Sequence, residues 1–590
     1  MLRHNKHGGS LEGLKLNSTA GSHGQVVFYA FMMDSYYIGV DVGTSSVRAG
    51  LVSSNGSLID YCSQPLQIWH YGSDYYEQSS KEIWTNVCEV VKSISDKIKD
   101  KKAVHGMGFD ATCSLVALNS NGDGVPVNTF QDPNRNIIMW LDHRAIKQAE
   151  LINNTGHEVL RYVGGALSPE MQAAKLLWLR ENLPLVCWNE TSVFLDLPEY
   201  LTYKATDQLT RSMCSLVCKF NYMGHETQKP AGTTSGWIDS YWEKIGLEEL
   251  PLCGYSKLGI KAAEPGEHLG QGLTKIAAEQ MGLWEGCPVG CSLIDAHAGG
   301  VGVIGADASG SGLPCENQPI TNRLALICGT STCHMAISEK PVFVKGVWGP
   351  YYSAMVPGLW LNEGGQSATG KLIDHLVENH PAYREVQEFA KTKGTSTYEE
   401  LNRVVIHLSN QKGLMNPAFL AQHFHVFPDF HGNRSPIADP NLKGMICGLS
   451  LTCDIENLAV LYVATIQALA HGTRHIVQSM NASGHDINTL FLCGGLSKNS
   501  LFVQTHADIT GMPCVLPRES ESILLGAAIL GACASGHYGT IQEAMKKMTA
   551  IGEIYLPDAR FKSFHDKKYK VYHQMLKNQD EYRQIMANQK

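Results

Sequence analysis

The sequence predicts an α/β protein of two domains, and three observations carry that reading. At 590 residues the chain exceeds what one hydrophobic core normally serves. Strand-like runs alternate with segments of helical period in both halves. Each half also opens with a strand, a Gly-Thr-Ser turn and a returning strand, which suggests a duplicated unit.

The elements follow in order. Tyr36-Tyr37-Ile38-Gly39-Val40-Asp41 reads as a strand, residues 42–46 as a turn and residues 47–52 as its return. Asn55-Gly56 begins another tight turn, so the opening is a β-meander. Over residues 82–98, Ile83, Val87, Val90, Val91 and Ile94 recur at near-helical spacing. A strand over residues 104–109 leads into Asp110-Ala111-Thr112-Cys113-Ser114.

In the second half, residues 324–328 and 333–337 form the strands around Gly329-Thr330-Ser331-Thr332. A long helix runs from 455 to about 480. A strand over 489–493 then meets Gly494-Gly495 and a helix starting near Asn499. Residues 305–320, rich in Gly, Ser, Pro and Asn, are the linker between a domain of 34–304 and one of 321–590. The tail carries Tyr569, Tyr572, Met575 and Leu576 on one stripe, as a docking helix would. Residues 1–33 lack the charge and cleavage pattern of a signal peptide and read as a disordered extension upstream of Met32 or Met33.

Composition excludes several classes. A hydrophobic fraction of 44% with 18% charged residues is that of a soluble globular protein. A net charge of −8 without a long basic run argues against nucleic-acid or acidic-membrane partners. No apolar run reaches the roughly twenty residues of a spanning helix. The 17 cysteines are odd in number, and the closest pairs, Cys214/Cys218 and Cys287/Cys291, are not spaced C-x-x-C. Reduced, mostly buried thiols in a cytoplasmic protein are therefore expected, rather than disulfides or zinc. His423 and His425 share a strand face without an evident third ligand, so a packed or solvated strand is expected there too.

Four motifs carry chemistry. In Asp41-Val42-Gly43-Thr44-Ser45-Ser46, a Gly and small hydroxyl residues let backbone N–H groups approach phosphate oxygens, and Asp41 can hold a hydrated Mg²⁺. An ordinary hairpin gives the same pattern. Gly329-Thr330-Ser331 is a second such turn. Cys493-Gly494-Gly495-Leu496-Ser497-Lys498-Asn499 places paired glycines between a strand and a helix N-terminus, where negative charge is favoured. It matches neither G-x-G-x-x-G nor a P-loop. Leu293-Ile294-Asp295-Ala296-His297 ends an apolar strand in a carboxylate, suited to orienting an attacking hydroxyl and accepting its proton. Taken singly, Asp295 reads better as a helix N-cap.

In their order, these motifs resemble the FGGY carbohydrate kinase family over about residues 36–570. Further matching blocks are Trp140-Leu141-Asp142-His143-Arg144-Ala145, Lys175-Leu176-Leu177-Trp178-Leu179, Pro428 through Pro436, Gly444 through Leu449 and Leu525-Gly526-Ala527-Ala528. Gln172 departs from the family, which often has a small hydroxyl residue or Pro there. The spacer after Gly448-Leu449 looks long. The resemblance implies two actin-like (ribonuclease H-like) domains with mixed β-sheets, helices on their faces and an active site in the cleft between them. ATP would sit mainly on the second domain and sugar on the first.

The resemblance also implies roles. Asp295 is the catalytic base and Asp41 the metal-associated carboxylate. Gly43, Thr44, Ser45, Gly329, Thr330 and Ser331 form the phosphate turns, and Gly494, Gly495 and Asn499 lie at the adenosine end of ATP. Asp110, Cys113, Lys219, Asp295 and Glu363 match sugar-binding positions of the ribulokinase branch. Lys219 otherwise reads as a surface residue and Glu363 as a helix-start carboxylate. The expected reaction transfers phosphate from ATP, with Mg²⁺, to the 5-hydroxyl of a ketopentose. D-ribulose is preferred because the chain looks most like the animal members. L-ribulose, xylulose or a pentitol are the enzymatic alternatives, a non-catalytic sugar and nucleotide sensor is the alternative of another class, and the reading leaves room for a homodimer.

Overall fold

The computed structural model describes residues 35–228 and 236–587; the expected N-terminal extension lies outside them. The first half begins with β1 (Tyr36–Val42), β2 (Ser46–Ser53) and β3 (Leu58–Pro65), the predicted meander. α1 (Ser80–Ser95) follows, capped by the Ser79 side chain, with Ile83, Val87, Val90, Val91 and Ile94 all buried on one face. Next come β4 (Val104–Ala111), α2 (Gln172–Asn182), α3 (Met213–Lys219), β5 (Leu293–Ile294) and α4 (Asp295–Ile304). The sheet order is β5-β4-β1-β2-β3, with β1 antiparallel to β2 and parallel to β4.

The second half repeats the plan. β6 (Arg323–Cys328) and β7 (Thr332–Ser338) flank the second Gly-Thr-Ser turn, followed by β8 (Trp348–Tyr352) and β9 (Trp360–Gln366). Then come α5 (Ile455–Ala482), β10 (Thr489–Cys493), α6 (Ser500–Thr510), β11 (Cys514–Pro517), α7 (Ser522–Ala534), β12 (Ile551–Tyr555) and α8 (Lys562–Ala587). The sheet order is β8-β9-β7-β6-β10-β11-β12. Its inner five strands, β9-β7-β6-β10-β11, have the same two antiparallel and two parallel junctions as β3-β2-β1-β4-β5. The duplicated unit is thus visible in the topology.

The halves do not keep wholly separate cores. One apolar cluster is confined to the first half and another to the second, but a third joins Leu115 and Leu293 to Ala325, Leu361 and Leu525. α7 makes this possible. A Cβ on Gly39 would lie 2.0 Å from the Leu524 carbonyl oxygen, and one on Gly526 would lie 1.9 Å from that of Ala298. Only the absence of side chains lets α7 press its backbone onto β1 and α4. Residues 305–320 join the halves, yet Ala306, Ala308, Leu313 and Cys315 are buried in the shared cluster, so the segment is pinned to the core.

α8 docks as its stripe predicts. Tyr569, Tyr572 and Met575 pack on Phe427, and Lys568 Nζ donates to the carbonyls of Ala421 and Phe424 at 2.7 Å. None of the 17 cysteines is in a disulfide, and most are buried. Among the described residues, no helix is long and apolar enough to cross a membrane.

Candidate active site

Strand register gathers the acidic motifs. β1 and β4 run parallel with Asp41 opposite Asp110, while β5 runs parallel to β4 with Ile294 opposite Ala111. Asp295 follows directly, so three carboxylates come from the ends of three adjacent parallel strands. Asp295 is the first helical residue, Ile294 being the N-cap, so ordinary capping does not account for it. Its Oδ1 accepts the Ala296 N–H at 2.7 Å.

One cation faces this group closely. Arg48 Nε donates to Asp41 Oδ2 at 2.8 Å, and Arg48 also donates to Glu521 Oε2 at 2.8 Å. Asp41 Oδ1 and both oxygens of Asp110 are buried and accept no hydrogen bond. Burial, and then the charge of Asp41, push the Asp110 carboxyl well above the usual range and that of Asp295 up to about 7. Unused carboxylate oxygens in such a site suit a hard divalent cation or its bound waters.

Each Gly-Thr-Ser turn is closed by its glycine N–H, the second one residue more tightly than the first. Gly43 N–H donates to the Ser46 carbonyl at 3.0 Å, and Gly329 N–H to that of Ser331 at 2.9 Å. Thr44 is steadied by the indole N–H of Trp140, which donates to its hydroxyl at 3.1 Å. Ser45 and Thr330 stand exposed at the tips. Thr369 braces the second turn, its N–H donating to the Thr330 carbonyl at 2.9 Å.

Gly494 has φ +91°, and a Cβ there would come within 2.5 Å of the Cys328 carbonyl oxygen, so a glycine is needed where β10 leaves the sheet beside β6. Gly495 is exposed, with open space where a side chain would be. The helix predicted near Asn499 is preceded by a short 3-10 turn, and Asn499 is the N-cap of α6. Its amide is engaged: Oδ1 accepts from Leu501 N–H at 3.1 Å, and Nδ2 donates to the Tyr462 hydroxyl at 2.6 Å. Lys498 approaches Glu521 Oε1 at 3.4 Å, so Glu521 links this segment to Arg48 and Asp41.

A second buried polar cluster holds the remaining predicted residues. Lys219 and Glu363 are each only 4% exposed, which excludes the surface reading of the lysine. Glu363 lies in β9, not at a helix start, and it belongs to the second half. The cluster therefore draws on both halves rather than on the first alone. Lys219 Nζ and the Arg434 guanidinium both lie on Trp348, 5.0 and 4.0 Å from the ring centroid. Arg434 donates to Glu363 Oε1. Although burial opposes ionisation, Arg434, His297 and Lys219 hold the Glu363 carboxyl below its usual range. Cys113 is buried beside Lys219, and burial pushes its thiol up to about 12. The charges of Lys219 and Glu363 also reach Asp295, tying the two clusters together.

Several participants escaped the sequence reading. Arg434 and His143 lie within blocks noted for their resemblance, but without assigned roles. Glu170 carried no signal at all. Burial opposes its ionisation, yet His143, Arg434 and Lys219 hold its carboxyl down to about 2. His143 also stacks on His431 from the other half. Gln172, the departure from the family pattern, is fully buried, donating to Asp196 Oδ1 at 2.8 Å and to the Cys113 carbonyl at 3.4 Å. The departure thus touches the wall that carries Cys113.

Residues 36–302 match the N-terminal domain of the FGGY family of carbohydrate kinases, and residues 324–535 match its C-terminal domain. The chain is 55% identical over 553 residues to an FGGY carbohydrate kinase domain-containing protein of Homo sapiens, covering 94% of this chain and 98% of that one. The chain belongs to the FGGY family of carbohydrate kinases. Within the family it is 41% identical over 525 residues to a D-ribulokinase of Saccharomyces cerevisiae, covering 86% of this chain and 73% of that one. The FGGY fold is shared with a xylulose kinase from Lactobacillus acidophilus, with TM-score 0.73 and 18% identity over 92% of this chain and 97% of that one.

Proposed function

We propose that this kinase transfers the γ-phosphoryl group of ATP to the 5-hydroxyl of D-ribulose, giving D-ribulose 5-phosphate and ADP. The observation that carries the reading is Asp295, placed between the other two strand-end carboxylates and the Lys219–Glu363 cluster. The relatives named as ribulokinases, at 41% identity in yeast and 28% in bacteria, support the choice of sugar.

Asp295 orients the attacking hydroxyl and accepts its proton as the new oxygen–phosphorus bond forms and the bond to the ADP oxygen breaks. The proton goes to the carboxylate, and ADP leaves with the bonding electrons. Backbone N–H groups of Thr44 and Ser45, and of Thr330 and Ser331, cradle the phosphates in turns that the Gly43 and Gly329 N–H groups close. The adenosine end lies along Gly494 and Gly495, where backbone is open to approach. Asn499 contributes there by fixing the start of α6. Asp110, Cys113, Lys219 and Glu363 hold the ketose hydroxyls. Cleft closure brings hydroxyl and phosphate together and excludes water.

FGGY sugar kinases use ATP, normally with a divalent metal. The unused Oδ1 of Asp41 fits Mg²⁺, and Asp41 would hold it or its waters. When bound, the ion offsets phosphate charge.

Four outcomes are expected. Asp295→Asn lowers kcat by about 10²–10⁴-fold while ATP binding by calorimetry persists; near-normal turnover removes the assigned base. Because its carboxyl is raised to about 7, Asp295 is protonated and inactive as a base at lower pH. The kcat/KM profile should therefore fall with decreasing pH through about 7, and a flat profile down to about pH 5 contradicts the assignment.

Arg434→Gln strips Glu363 of its guanidinium and should raise the KM for sugar by about 10- to 100-fold, with little change in the KM for ATP. Finally, steady-state assays on D-ribulose, L-ribulose, D-xylulose, ribitol and glycerol should give D-ribulose the highest kcat/KM. A higher value for another sugar replaces the substrate. Binding without turnover on any of them would make the protein a sensor.

A further inference from the structure

Cys214 and Cys218 sit one helical turn apart on α3, so their side chains share a face. Opposite them is His297, in the first turn of α4. The three side chains are fully buried, and a sulfur from each cysteine and an imidazole nitrogen lie within 4.8 Å of one another. Among the described residues, this is the one His, Cys and carboxylate group with donor atoms so gathered. Sequence spacing gave no sign of it, because the third member is 79 residues beyond Cys218.

One distance within the group matches that of a coordination sphere. Cys218 Sγ and His297 Nε2 are 3.5 Å apart. A tetrahedral centre with metal–sulfur bonds of about 2.3 Å and metal–nitrogen bonds of about 2.0–2.1 Å sets such atoms about 3.5 Å apart. Without a ligand, the imidazole is poorly served. Its Nδ1 is buried with no partner, and Nε2 meets only a weak thiol and Glu363 Oε2 at 3.9 Å. A buried polar ring in that state costs free energy that a bond to Nε2 would offset.

We propose that Cys214, Cys218 and His297 form a binding site for Zn²⁺, separate from the carboxylate group that suits Mg²⁺. Two thiolates and an imidazole are soft and borderline donors, which select zinc over magnesium. Binding releases the two thiol protons, and the two thiolates balance the charge of the dication. Glu363, whose Oε1 is held by Arg434, brings Oε2 to 3.9 Å from His297 Nε2 and is a candidate fourth donor. Cys218 directly precedes Lys219, and His297 follows Asp295 by two residues. An ion here therefore fastens α3 to α4 between the proposed sugar-binding lysine and the proposed base. That consequence rests on the proposed function; the binding itself does not.

The test uses the full chain, stripped with a chelator under reducing conditions, loaded with Zn²⁺ and gel-filtered. Metal analysis should find about one zinc per chain that excess Mg²⁺ does not displace. Co²⁺ in its place should give thiolate-to-cobalt charge-transfer absorption and the intense visible bands of a tetrahedral centre. Cys214→Ser/Cys218→Ser should lose both signals, and loading should raise the melting temperature of the wild type alone by a few degrees. No retained zinc in the wild type overturns the site, as does a cobalt spectrum without thiolate absorption. Should the double variant fold poorly, the wild-type metal count and cobalt spectrum still decide. Neither readout depends on turnover, so loss of the kinase reading would leave this result standing, and the reverse.

Discussion

Three carboxylates crowd the ends of three adjacent parallel strands, and among the described residues the guanidinium that directly engages them is Arg48, bound to Asp41. Their mutual repulsion and burial are costly, and the fold holds them there because β1, β4 and β5 have no freedom to slide. Arg48 is itself held by Glu521, just before α7, the helix packed backbone-to-backbone on the first half. The charge imbalance is thus built into the core and not confined to a flexible loop. It leaves Asp295 poised to titrate near neutrality and leaves oxygens free for a cation.

The second cluster answers that negative charge with two cations, Lys219 and Arg434, stacked on Trp348. Lys219 comes from the first half of the chain, while Arg434, Trp348 and Glu363 come from the second. The second cluster and the second Gly-Thr-Ser turn are consequently coupled: Cys333, beside that turn, donates to Glu363 at 3.6 Å. A shift of one half against the other would change both groups together, which is what a closing cleft requires. Gly526, inside α7, is one place where the two halves meet backbone to backbone, and the tight fit permits little sliding of that helix on α4.

Much of this was legible in the sequence. Period-2 and period-3.6 patterning located the meander, α1, the second hairpin, α5 and β10, because their buried faces are long and regular. The repeated Gly-Thr-Ser hairpins pointed to duplication, and strand order supplied the evidence that one tripeptide lacked. What stayed hidden depends on contacts between distant segments. Glu170 and Arg434 are 264 residues apart by number, yet they act on the same cluster. Lys219 and Glu363 were named, but their burial was not foreseeable from local sequence. Cys214 and Cys218 looked like ordinary core thiols, since only folding brings His297 to them.

The central claim is phosphoryl transfer from ATP to the terminal hydroxyl of a ketopentose. It is tested most directly by the position of the phosphate in the product. Uniformly ¹³C-labelled D-ribulose, incubated with ATP, Mg²⁺ and the full-length protein, should yield one phosphosugar. Its ³¹P resonance should couple to carbon 5, with ADP formed in equal amount. Coupling to carbon 1 instead, or ADP released with free phosphate and no phosphosugar, would contradict the account.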